Sequence, residues 1–193
     1  MALPRSLQII RDEHASLAAM LQSMRMLVER GPDESRKNFF DVVRAMLFYI
    51  DEYPERLHHP KESNLLFPKV VKASPKVLGA IDRLERDHMY SEKAARELQH
   101  LLMAWELLGP TRRGAFQEAF TKYIDFYLDH MKLEEEVILP EAEKTLSAAD
   151  WAEIDAAFEK NADPLTGKYP PTTEYENLFS LIVQRAPAPI GLG

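Results

Sequence analysis

The feature that most constrains this chain is a polar slot that recurs in an otherwise apolar helical seam. Leu7, Ile10, Leu17, Leu21, Met24 and Val28 follow alternating steps of three and four, the period of a bundle helix. The slot between Ile10 and Leu17 holds His14. Ser6 is the expected N-cap of this segment and Gly31-Pro32 its stop. A second segment runs from about Ser35 through Phe40, Val43, Leu47 and Ile50. Pro54 and Pro60 are expected to kink or interrupt it before it resumes through His58, Glu62 and Leu65 towards Pro68. Ser74-Pro75 opens a third helix, whose seam is Val77, Ile81, Leu84, His88, Ser91, Ala95, Leu98, Leu102 and Trp105. The fourth starts near Thr111 and carries Phe116, Phe120, Tyr123, Tyr127, His130, Glu134 and Val137, with Pro140 near its end.

Four amphipathic helices joined by short loops predict an all-α fold, an up-down-up-down four-helix bundle over residues 1–145. Residues 146–193 are expected to form a short C-terminal helical extension. Ser147-Ala148-Ala149-Asp150 reads as a capping box for a helix to about Asn161, and Asp163 to Pro171 as a turn-rich linker. Glu174 to Arg185 offers one more amphipathic stretch through Tyr175, Leu178, Phe179, Ile182 and Val183, which could pack across the bundle or form a homodimer seam. The Pro-rich tail has no reason to be helical.

Composition removes several chemistries. The 193 residues include no cysteine, which excludes disulfides, thiolate metal sites and cysteine nucleophiles. Any metal must be held by nitrogen and oxygen. An excess of acidic over basic residues, 31 to 24, gives no hint of nucleic-acid binding. Seven glycines argue against phosphate-cradling loops. The N-terminal residues lack the apolar run of a signal peptide, and no stretch is long enough to span a bilayer, so a cytoplasmic protein without a membrane partner is expected.

Each bundle helix supplies one seam histidine: His14, His58, His88 and His130. Two are followed four residues later by a glutamate on the same face, His58 by Glu62 and His130 by Glu134. The halves repeat: His58-x3-Glu62-x5-Pro68 has the spacing of His130-x3-Glu134-x5-Pro140. One His-x3-Glu means little, and a lone seam histidine is commonly a hydrogen-bonded core residue. Four imidazoles and two carboxylates buried at one level are costly without compensation. Six such ligands suit two borderline ions bridged by carboxylates; iron or manganese fit, while zinc usually takes four ligands. His59, about 100° round a regular helix from His58, is expected to support the site from outside or face solvent. His100 falls off the seam. Glu135 rivals Glu134 as a bridge, and Glu92 becomes a ligand if its helix rotates. Tyr123 and Tyr127 read as packing residues with a satisfied hydroxyl, and Met20, Met24 and Met26 as core filler.

Glu13-His14, His58-His-Pro-Lys-Glu62 with Leu65-Leu-Phe-Pro68, Asp87-His88, and His130-Met-Lys-Leu-Glu134-Glu-Glu-Val-Ile-Leu-Pro140 together resemble the hemerythrin-like, or HHE cation-binding, family over roughly residues 5 to 145. The resemblance implies a four-helix bundle around a non-haem di-iron centre, with His14, His58, Glu62, His88, His130 and Glu134 as ligands. Oxygen-carrying hemerythrins place a second histidine one turn from that on the third helix, where this chain has Leu84 and Glu92. They also bridge through an acid five residues after the last histidine, here Glu135. The four-histidine, two-glutamate pattern is more similar to the sensor and iron-repair branches, although the cysteine-containing N-terminal segment of the repair branch has no counterpart here. The expected function is a di-iron protein that binds or senses oxygen, nitric oxide, peroxide or a related redox species. The alternatives are a di-iron oxidase, peroxidase or nitric oxide reductase, and an interaction module in which the metal is structural.

Overall fold

The computed structural model describes residues 3–32 and 36–192. Among them there is no strand, and six helical rods account for the architecture. Helix α1 is Arg5–Arg30. Rod α2 covers residues 36–73 and includes two π turns, and α4 covers residues 113–145 and includes one; between them lies α3, Leu78–Leu108, entered through a 3-10 turn at Pro75–Val77. Helices α5 (Ala148–Phe158) and α6 (Glu176–Arg185) form the extension. The first four make the up-down-up-down bundle that the periodicity predicts. The expected start of α2 at Ser35 lies outside the described residues. No helix among the described residues is long and apolar enough to cross a membrane.

Local chemistry accounts for the helix ends. Gly31 stops α1 with φ 75° and its N–H on the Leu27 carbonyl, a conformation that favours glycine. Ser6 is not the N-cap of α1: the helix begins at Arg5 behind Pro4, and Ser6 lies buried in its first turn. Asp155 on α5 accepts from both the Ser6 N–H, at 2.8 Å, and its hydroxyl, at 2.6 Å. A first-turn donor left over by the helix is thus satisfied by another helix. The capping box at Ser147 and Asp150 is formed, but α5 ends at Phe158, short of Asn161.

Pro54 and Pro60 do not interrupt α2. The rod runs through them as a π turn, Asp51–His58, a short α segment, His59–Lys61, and a second π turn, Glu62–Leu66. A third π turn, Glu134–Ile138, lies in α4. In an α-helix a proline ring strikes the carbonyl four residues earlier. For Pro60, Pro68 and Pro140 that carbonyl belongs to Arg56, Asn64 and Glu136, each inside one of the three wider turns. The bonds reach five residues back: His59 N–H to the Pro54 carbonyl, Phe67 to Glu62, Leu139 to Glu134. Each added residue advances the seam by one. It passes through Leu66 and Ile138, both 0% exposed, instead of the expected Leu65 and Val137; Val137 is 37% exposed.

The interior is divided. One apolar core gathers Leu17 to Val28 of α1, Phe39 to Tyr53 of α2, Ala94 to Trp105 of α3 and Phe116 to Met131 of α4. The other gathers Leu7, Ile10, Leu66, Val70, Ile81, Leu84, Ile138 and Ala142. Between them lies a buried layer of histidines and glutamates. The extension joins both cores: Trp151, Ile154 and Phe158 enter the second, Phe179 and Ile182 the first. The apolar face of α6 is therefore turned largely onto the bundle.

Truncating Ile154, 0% exposed, to Ala should cost about 2–5 kcal/mol in denaturant unfolding, the range for a buried aliphatic side chain. A cost near zero would mean that α5 is only loosely docked.

Candidate metal centre

Every seam histidine is buried and aims its two ring nitrogens in opposite directions. The Nε2 atoms converge on two carboxylates. His58 Nε2 is 2.9 Å from Glu62 Oε1, and His88 Nε2 is 3.4 Å from Glu62 Oε2. His14 Nε2 is 3.2 Å from Glu134 Oε2, and His130 Nε2 is 3.4 Å from Glu134 Oε1. Each glutamate thus offers one oxygen to each side of the layer. Two groups have ligand atoms close enough to share an ion: His14, His58, Glu62 and Glu134, and His59, Glu62, His88 and His130. All six residues singled out by spacing are in these groups. The repeated π turns place the pair of glutamates, since Glu62 and Glu134 each open one.

The seventh member is His59, 5% exposed and stacked on His88 with ring centroids 4.1 Å apart. The expectation that it stays outside the site assumed a regular helix. Instead α2 presents an edge to the bundle: His58 turns towards α1, and His59 towards α3 and α4. The signal in the sequence was the adjacent pair itself, with Glu55 one turn before His59 and no second histidine beside His88. Glu92 is exposed and pairs with Arg96, and His100 is exposed; neither reaches the layer.

The Nδ1 atoms face outward, each towards a separate partner. Glu135 is 2.9 Å from His14, Glu13 2.6 Å from His58, Glu55 3.1 Å from His59, and the Ser63 hydroxyl 3.0 Å from His88. Asp87 stands 3.6 Å from His130. Glu135 therefore orients His14 from outside, while Glu134 occupies the centre. At His14, His58 and His88 such partners fix the tautomer that leaves the Nε2 lone pair for a metal, and turn the ring towards it; His130 Nδ1 has no hydrogen bond. Tyr127 donates to this network, its hydroxyl 3.0 Å from His59 Nε2 and 3.3 Å from Glu55; Tyr123 lies 3.4 Å from the Ser91 hydroxyl.

The donor set fits a cation. Glu62 Oε2, both oxygens of Glu134, and His88 Nε2 are buried without a hydrogen-bond partner, and all four face the middle of the layer. Buried polar atoms are seldom orphaned, and these are costly unless something positive sits among them. Protons do part of that work in the metal-free centre. Burial opposes charge on His14, but Glu134 and Glu135 prevail and push it up to about 9. Burial likewise opposes charge on His58, yet Glu62 and Glu13 hold it well above the usual imidazole range. Glu62 is kept well below the usual carboxylate range against its burial by His58 and His88. His59 is pushed well down by burial, with His88 adding to the effect. A metal would displace the imidazole protons and take over their charge.

The family model for the hemerythrin HHE cation-binding domain matches residues 5–142, and the chain belongs to that family. No curated protein matches the chain.

The metal-free centre should make stability fall with rising pH. His14 binds its proton more tightly when folded, so its contribution is complete below about pH 6.5 and is lost as the pH rises through about 9. Burial pushes Glu55 up to about 7 and Asp163 up to about 6. Each of these also loses stability as the pH rises from its unfolded value through its folded one. The melting temperature of chelator-treated protein should therefore drop between pH 6.5 and 9. A rise across that window would contradict the placement of His14 between two carboxylates.

Proposed function

We propose that this hemerythrin-family chain is a non-haem di-iron protein that binds or senses a small diatomic or peroxide ligand. The observation that carries the reading is the pair of buried His/Glu groups sharing Glu62. Five imidazoles and two carboxylates, with no sulfur, are a donor set for iron or manganese; one structural zinc would leave ligands unused. His14 and His58 would hold one ion and His88 and His130 the other, with Glu62 and Glu134 between them; His59 would join the second once Tyr127 gives up its hydrogen bond to Nε2. When bound, two ferrous ions supply electrons and open coordination positions to a small oxidant.

The chain's own residues limit what can arrive from the side of His14 and His58. A cavity of about 20 Å³ adjoins His14, His58, His59 and His130 and is walled by Leu17, Met131 and Tyr53. By the measure in which about 10–15 Å³ admits one water, it takes one or two atoms and no organic substrate. Its lining is almost wholly buried, which keeps bulk water from that side of the layer; a cavity of about 480 Å³ lined by Glu55, His59, Ser63 and His88 lies on the other. Tyr127 lines the same cavity and carries a hydroxyl proton beside His59, where it can be donated to an incoming ligand.

Protein produced with iron should contain about two iron ions per chain and show near-ultraviolet charge-transfer absorption in air. His88→Ala and His130→Ala should lower iron content sharply, His59→Ala should too, and His100→Ala should not. One zinc per chain, or no metal, would sink the di-iron reading. Steady consumption of oxygen, nitric oxide or peroxide by the loaded protein would identify turnover instead of binding alone.

A further inference from the structure

The segment after α5 lies beyond the matched family region, yet it reaches the centre. Asn161 is 5% exposed and Asp163 2%, and both line the cavity beside the histidines. Between them Ala162 adopts φ 45°, a conformation alanine rarely takes, so the chain turns there and sends both neighbours inward. Asp163 is anchored by the Tyr49 hydroxyl at 2.6 Å and by the Leu165 N–H at 2.9 Å. Phe158, the last residue of α5, sets its ring edge-on to His58 with centroids 5.7 Å apart.

Asn161 sits in a directed chain of hydrogen bonds. Lys61 Nζ, within the His58-His-Pro-Lys-Glu62 run, donates to Asn161 Oδ1. An ammonium only donates, so the amide oxygen must face it and the NH2 must point the other way. That NH2 donates to Glu13 Oε2 at 3.0 Å. The same oxygen lies 2.6 Å from His58 Nδ1, and His58 Nε2 looks onto Glu62. Each link fixes the next: Lys61 orients Asn161, Asn161 holds Glu13, and Glu13 accepts from Nδ1–H, which keeps that proton on Nδ1 and turns Nε2 towards the centre.

We propose that Asn161 is a positioning residue of the metal centre. Acting through Glu13, it fixes the tautomer and orientation of His58, so retention of the ion on that side depends on the connector after α5. The metal part of this inference rests on the reading under Proposed function; the placement of His58 does not.

Two measurements on the full chain test it. The first needs no metal: in chelated protein with 15N-labelled histidine, the His58 Nδ1–H signal should move in both Asn161→Asp and Asn161→Ala, with the other imidazoles unchanged. The Asp variant keeps the size of the side chain and replaces the donor with an acceptor, so a packing role alone would leave that signal in place. The second measures iron release to excess ferrous chelator. Both variants should release part of their iron about tenfold faster or more. Ile154→Val, which loosens α5 away from the centre, should lower the melting temperature and leave the release rate as it was. Wild-type behaviour of Asn161→Asp in both measurements would overturn the proposal, as would equally fast release from Ile154→Val. If the unaltered chain takes up no metal, the proposed function falls, and the histidine signal alone decides whether Asn161 positions His58.

Discussion

The structure depends on the cost of keeping a polar layer dry. Seven ionisable side chains, His14, His58, His59, Glu62, His88, His130 and Glu134, lie between two apolar cores, each no more than 9% exposed. Removing such groups from water is unfavourable unless every atom finds a partner. The bundle answers on two levels. Four outward nitrogens meet Glu13, Glu55, Glu135 and Ser63, while that of His130 stands 3.6 Å from Asp87 without a hydrogen bond; inward atoms meet one another and leave a few with no partner at all. The helices above and below hold the layer rigid, because each enters one core, crosses the layer and continues into the other. The centre and the fold are therefore one problem, and the proposed cation would complete its solution.

Most of this was legible from spacing. The four helices, their seams and the six convergent histidines and glutamates follow from steps of three and four and from the repeated His-x3-Glu. All nine seam positions read for the third helix, Val77 to Trp105, are buried. What spacing could not carry was any departure from the α-helical period. Pro54 and Pro60 were read as kinks or interruptions, but Pro60, like Pro68 and Pro140, is accommodated by a wider turn, and the apolar face slips by one residue beyond each glutamate. The same slip explains Leu66 for Leu65 and Ile138 for Val137. His59 was placed outside the centre because the orientation of α2 about its own axis depends on neighbours in three dimensions. Ser6 shows a related limit: a serine at a helix start looks like a cap until a distant aspartate proves to be its partner.

The extension was legible as helices and turns but not as part of the site. Nothing in the spacing of Asn161 or Asp163 relates them to His58, which lies about a hundred residues earlier. Their contribution arises from where α5 ends and from the strained turn at Ala162. The bundle supplies the buried histidines and glutamates, and a segment outside the matched family region adds the amide behind one of them.

The π turns also determine what kind of sequence change the centre can survive. Glu62 and Glu134 each begin a turn that holds one residue more than an α-helical turn would, and a proline follows six positions later. Substitutions inside the turn alter a side chain. Deleting one residue there would restore an ordinary ladder, swing everything beyond it by about 100°, and bring the solvent face of the rod onto the second core. The information that aligns the ligand layer with that core is stored in the number of residues between glutamate and proline. An insertion or deletion there cannot be repaired by changing the residues around it.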